Sequence, residues 1–132
     1  MKGRVLIIDD DQFIRSLVTA MLRSEYLASV AVDGMEGFKV AVENPPDLII
    51  VDLEMPGWNG LETMKNLRSH ATLQRTPVMV LTADASRETV MEAIKMGADD
   101  YLIKTSLSRD ELLRKVRRLS SIEAGRDVAP LS

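Results

Sequence analysis

The chain has no cysteine. That excludes a disulfide framework, a thiolate nucleophile and a zinc-thiolate site, and it fits a cytoplasmic location. No apolar run is long enough to cross a bilayer. Met1-Lys2-Gly3-Arg4 leads into a short strand pattern rather than a signal-peptide core. Positive charge is not in excess: 17 Lys and Arg against 20 Asp and Glu give a net charge of −3. No basic stripe with interleaved aromatics occurs, so neither nucleic acid nor a membrane is expected as a direct partner. Repeats and low-complexity blocks are absent. Histidine occurs once, as His70, and tryptophan once, as Trp58.

What is present suits one globular domain. The 132 residues are 45% hydrophobic and 28% charged, enough for a single core. Apolar runs alternate with helical patterns. Val5–Ile8, Leu27–Val32, Leu48–Val51, Val78–Leu81 and Tyr101–Ile103 read as strands. Phe13, Leu17, Val18, Met21 and Leu22 recur at helical spacing after the first strand. Phe38, Val40 and Ala41 mark a second helix, stopped at Asn44-Pro45-Pro46. A third helix starts at Gly60 with Leu61, Met64 and Leu67. Ser86 is the expected N-cap of a fourth, carrying Val90, Met91 and Ile94 and closed by Gly97. Ser108-Arg109-Asp110-Glu111 is a capping box for the last, with Leu112, Leu113, Val116 and Leu119. After about Ser121 no further element is expected. Residues 1–121 read as one domain and 122–132 as a tail or the start of a linker.

Five β-α units with nearly all-apolar inner strands predict an α/β fold. Right-handed crossovers favour a doubly wound, flavodoxin-like parallel sheet of five strands in the order 2-1-3-4-5, with helices on both faces. Ligands of such sheets bind beyond the strand C-termini at the switch point between strands one and three. Asp9-Asp10-Asp11 follows the first strand and Asp52 ends the third. The expectation is one acidic pocket, suited to a divalent cation and to phosphoryl chemistry. Thr82 and Lys104 follow the fourth and fifth strands and add a hydroxyl and an ammonium to the same edge.

Ile7-Ile8-Asp9-Asp10-Asp11, Asp52-Leu53-Glu54-Met55-Pro56 with Gly60, Leu81-Thr82-Ala83 and Gly97-Ala98-Asp99-Asp100-Tyr101-Leu102-Ile103-Lys104 together resemble the receiver domain of bacterial two-component response regulators. The resemblance covers roughly residues 3–121. It implies that Asp52 accepts a phosphoryl group from a histidine kinase or phosphotransfer protein. It implies Mg²⁺, with Mn²⁺ as an alternative, held by Asp9, Asp10, Asp52 and the backbone carbonyl of Glu54. Thr82, Ala83 and Lys104 are implied phosphate contacts. Tyr101 is implied to follow Thr82 and alter the face formed by the fourth helix, fifth strand and fifth helix. Glu54 and Asp84 are implied to tune dephosphorylation. Such a chain is a signalling phospho-acceptor and not an enzyme, beyond catalysing its own phosphorylation and dephosphorylation. Its output would go to a protein partner, a fused effector domain or a second copy, with Asp99, Asp100 and Arg114 as candidate dimer contacts.

Simpler roles compete at several positions. Asp11 reads best as a helix cap, His70 as a surface residue, and Arg114, Lys115, Arg117 and Arg118 as a solvated face. One departure from the family pattern is Thr105, where proline usually follows the lysine, which leaves the 104–105 peptide either trans or cis. Two other functions fit less well. A phosphatase of the haloacid-dehalogenase kind needs a second Asp two residues after the nucleophile, and Glu54 stands there. A non-phosphorylated receiver-like interaction module keeps the fold but loses the acids, hydroxyl or lysine, all of which remain here.

Overall fold

The computed structural model describes the chain from Lys2 to Val128, with side chains through Ser120. Strands β1 (Gly3–Ile8), β2 (Tyr26–Ala31), β3 (Leu48–Asp52), β4 (Val78–Thr82) and β5 (Asp100–Ile103) alternate with helices α1 (Gln12–Leu22), α2 (Gly34–Glu43), α3 (Gly60–Ser69), α4 (Arg87–Lys95) and α5 (Arg109–Val128). A 3₁₀ turn, Lys104–Ser106, links β5 to α5. The sheet is parallel in the order β2-β1-β3-β4-β5, as expected.

The two-residue period of a strand divides the core. Leu6, Ile8, Ile49, Val51, Val78 and Val80 face α2, α3 and α4, where Ala41, Met64, Leu67 and Ala93 are buried. Val5, Ile7, Leu48, Ile50, Met79 and Leu81 face α1 and α5, meeting Ile14, Val18, Leu22, Leu112, Val116 and Leu119. All of β3 and β4 is buried, because both faces are covered.

The helix caps follow the sequence chemistry. The side chains of Asp11, Asp33, Asn59 and Ser86 accept from the first-turn N–H groups of α1, α2, α3 and α4. At the capping box of α5, Ser108 Oγ accepts from the Glu111 N–H at 3.3 Å. Gly97, at φ 105°, turns the chain beyond α4 in a conformation that side-chain-bearing residues rarely adopt.

Four details differ from expectation. Strand β2 ends at Ala31, whose carbonyl accepts the Asp9 N–H, and the outward N–H of Val32 is taken by Glu36 Oε1 at 3.1 Å. Phe13 is 69% exposed; the cap at Asp11 sets the helix phase so that Ile14, Val18 and Leu22 face inward. On α4, Ala93 is buried while Met91 and Ile94 are exposed. Helix α5 continues to Val128, so residues 122–128 are helical backbone rather than unstructured tail. Glu123, Ala124 and Arg126 are good helix formers and Pro130 is the first strong breaker. The remainder of the expected tail, 129–132, lies outside the described residues.

Candidate functional site

Strand register brings the expected groups together. Ile8 pairs with Val51, Asp52 with Leu81 and Thr82 with Ile103. Asp9, one residue beyond β1, falls opposite Asp52, and Thr82 and Lys104 stand one and two steps further along at the C-terminal edge. Carboxylate oxygens of Asp9, Asp10 and Asp52 lie within 4.8 Å of one another. Asp9 and Asp52 are buried, while Asp10 is exposed at the pocket mouth. Lys104 Nζ lies 3.0 Å from Asp9 Oδ2 and 3.1 Å from Asp52 Oδ2.

The loops hold these carboxylates by their second oxygens. Asp9 Oδ1 accepts from the Asp11 N–H at 2.9 Å, and Asp52 Oδ1 from the Glu54 N–H at 3.2 Å. Gly60 permits the loop after Asp52 to fold under α3: a Cβ there would stand 2.5 Å from the Asp52 carbonyl oxygen and 2.6 Å from Leu53 Cα. The Gly60 N–H instead donates to the Leu53 carbonyl at 2.9 Å.

Burial and the neighbouring Asp9 carboxylate push the Asp52 carboxyl up to about 6, against the Glu54 N–H and Lys104, which favour the anion. Burial pulls the Lys104 ammonium down, but contacts with Asp9 and Asp52 outweigh it and raise its pKa. The pocket therefore carries more negative charge than one ammonium neutralises. Asp9 Oδ2 is buried with only that ammonium beside it and no aligned hydrogen-bond donor. An all-oxygen, charge-rich and incompletely satisfied donor set fits a hard divalent cation such as Mg²⁺, with Asp9, Asp10 and Asp52 able to hold it.

Thr82 is buried at the end of β4, and its hydroxyl engages only the loop backbone. It accepts from the Asp84 N–H at 3.0 Å and donates to the Asp84 carbonyl at 3.2 Å. The Asp84 side chain is occupied elsewhere, accepting from the Ser86 N–H at 2.8 Å and the Thr89 hydroxyl at 2.7 Å, which lower its pKa. Ala83 and the Glu54 side chain are exposed beside the pocket. Tyr101 is half-buried on β5. All peptide bonds among the described residues are trans, including 104–105, and Lys104 still reaches both carboxylates.

Sequence reading missed the partners of the basic face of α5. Lys115 bonds Asp100 at 3.1 Å and the Tyr101 carbonyl at 2.7 Å, and its ammonium lies 5.1 Å from the Tyr101 ring centre. Arg118 pairs with Asp100 at 2.5 Å, and Arg117 pairs with Glu25. Asp99 joins Arg68 at 3.3 Å and accepts from the Val78 N–H. Asp99 and Asp100 thus already serve intrachain contacts, and most of the expected solvated face is paired. A lysine and an arginine three residues apart were the only signal, and their acceptor lies 15 residues upstream of the lysine. His70 lies half-buried at the surface, its ring edge-on to Phe38, which in turn meets Trp58.

Comparison with known proteins agrees with this geometry. Residues 5–117 match the model of the response regulator receiver domain. A protein-glutamate methylesterase/protein-glutamine glutaminase of Geobacter sulfurreducens is 35% identical over 95% of this chain and 37% of its own length. The chain thus spans about a third of that relative. The chemotaxis protein CheY4 of Vibrio cholerae superposes with a TM-score of 0.85 at 32% identity, covering 90% of this chain and 99% of CheY4. The receiver domain of the Pseudomonas aeruginosa sensor histidine kinase PA1611 has a TM-score of 0.85 at 27% identity, covering 92% and 99%. That structure holds a magnesium ion in its active-site cleft.

Proposed function

The chain belongs to the response regulator receiver family of two-component systems, and we propose that Asp52 is its phospho-acceptor. The observation that carries the reading is a buried carboxylate at the end of β3, flanked by Asp9, Asp10 and Lys104 in one pocket. A carboxylate oxygen of Asp52 attacks the phosphorus of a phosphohistidine on a histidine kinase or phosphotransfer protein. The P–O bond forms as the P–N bond breaks, and the imidazole nitrogen leaves with the electron pair and takes a proton. Carboxylates form such acyl phosphates readily when positioned and desolvated.

Mg²⁺, or Mn²⁺, held by Asp9, Asp10, Asp52 and the Glu54 carbonyl, would supply the positive charge that this acidic site lacks. Lys104 neutralises charge on the opposite side, pairing with Asp52 before transfer and with a phosphate oxygen after it. Glu54 and Asp84 flank the approach of hydrolytic water and set the phosphoryl lifetime. The chain's own turnover is confined to gaining and losing this group.

The added charge draws the Thr82 hydroxyl from its Asp84 backbone contacts toward the phosphate, beside the small Ala83. Tyr101 follows and changes the face of α4, β5 and α5, where Met91 and Ile94 stand exposed. That face signals to a protein partner, an effector domain or a second copy in the cytoplasm. Residues 1–121 form the functional unit of this switch.

Trp58, edge-on to Phe38 in the loop after Asp52, provides the test. Mg²⁺ followed by beryllofluoride, a phosphoryl mimic, should change its fluorescence saturably in wild type and not in Asp52→Asn. Intact mass after acetyl phosphate treatment should show one added phosphoryl group. Its absence would sink this reading and leave a non-phosphorylated interaction module.

A further inference from the structure

A second groove, of ≈ 470 Å³, runs between α1 and the sheet edge, lined among others by Arg15, Thr19, Arg23, Ala28, Ser29 and Val30. Strand β2 pairs only with β1 and is an edge strand. The Ala31 carbonyl accepts from the Asp9 N–H, so Ala31, Ser29 and Leu27 direct their backbone groups toward β1. By alternation, the N–H and C=O groups of Ala28 and Val30 point outward, next to the groove. Val32, the next outward position, is already covered by Glu36. The usual edge protections are missing: the strand Tyr26–Ala31 has no lysine, no proline and no charged side chain, and Leu27 and Val30 are 56% and 44% exposed.

Charge and spacing describe the occupant. Two arginines line the groove and no carboxylate does. The Arg15 stem is anchored by a 2.8 Å bond from one guanidinium nitrogen to the Asp9 carbonyl, which leaves its other donors for an anion. Arg15 on α1 and Arg23 at its C-cap are eight residues apart, about 12 Å along the helix axis. Two side chains four residues apart on one face of an extended strand are also separated by about 13 Å. The Thr19 hydroxyl between them is buried without a hydrogen-bond partner. We propose that this groove docks an extended acidic segment of a partner protein, which adds to the free edge of β2 as a sixth strand and sets two carboxylates, four residues apart, on Arg15 and Arg23. Backbone pairing holds the segment and the two guanidiniums select its charge pattern.

The probe is an acetylated, amidated pentapeptide, Asp-Thr-Val-Thr-Glu, titrated to saturation at low salt against the ¹⁵N-labelled full chain. A Lys-Thr-Val-Thr-Lys peptide serves as the control. Amide exchange at Ala28 and Val30 should slow at least tenfold with the acidic peptide and not with the basic one. Arg23→Glu should weaken binding at least tenfold. Val30→Pro, which removes only an outward N–H and is tolerated on an edge strand, should do the same. Both variants should retain wild-type phosphoryl acceptance and melting profiles, which separates lost docking from lost folding. Unchanged exchange at both amides overturns the proposal. So does equal binding of the basic peptide, or of both variants. Protection that tracks protein concentration, with a dimer in sedimentation, overturns it in favour of a second copy of this chain.

Discussion

Lys104 places its ammonium 3.1 Å from Asp52 Oδ2 while touching Asp9 at 3.0 Å, so one cation serves two buried carboxylates. Removing it as Lys104→Met leaves two anions with no counter-charge. The expected loss is about 1–3 kcal/mol of metal-free stability at pH 7.5, below the full cost of breaking a deeply buried pair. Urea unfolding measures it. Phosphorylation by acetyl phosphate should slow at least tenfold, and millimolar Mg²⁺ should restore much of the stability.

The Asp52 carboxyl should titrate near 6 in metal-free protein, seen by ¹³C NMR of the carboxyl carbon. Added Mg²⁺ should move that midpoint down, because a cation favours the anion. A midpoint near 4 without metal would show that burial and the Asp9 carboxylate do not disfavour the anion as their geometry requires.

Asp52→Asn should abolish phosphorylation and stabilise the metal-free fold. A carboxyl raised from 3.8 to about 6 binds its proton more tightly folded than unfolded. Its stabilising contribution is present below 3.8 and lost as pH rises through about 6. At pH 7.5 wild type therefore carries a penalty of up to roughly 3 kcal/mol that the amide lacks. The gap between the two should close near pH 4, and close again at pH 7.5 when Mg²⁺ is added.

Gly60→Ala should cost about 1–3 kcal/mol, since its Cβ meets Asp52 and Leu53 backbone rather than movable side chains. It should also weaken Mg²⁺ binding in a Trp58 fluorescence titration, because the displaced backbone carries Asp52.

Lys115→Met keeps the stem but removes the ammonium from Asp100 and from the Tyr101 ring. A double-mutant cycle with Tyr101→Leu should give a coupling of about 0.5–1 kcal/mol. Zero coupling would mean that the ring is held by packing alone.

The sheet and the acidic pocket were legible because both rest on local patterns: wholly apolar strands, each closed by a polar residue. Asp9, Asp52, Thr82 and Lys104 are strand-end residues, so topology alone aligns them. Helix phase was less legible. Phe13 and Ile14 are equally apolar, and Ile14 faces the sheet together with Val18 and Leu22 while Phe13 faces out. The pairing of Lys115 and Arg118 with Asp100 depends on how α5 lies across β5, which no local pattern encodes. The α1–β2 groove was invisible for the same reason: it belongs to neither element alone.

The Thr82 hydroxyl is fastened solely to the main chain of Asp84, whose side chain faces the first turn of α4. Every amino acid except proline supplies the same N–H and C=O. Evolution can therefore exchange the side chain at this position without altering the groups that hold the Thr82 hydroxyl.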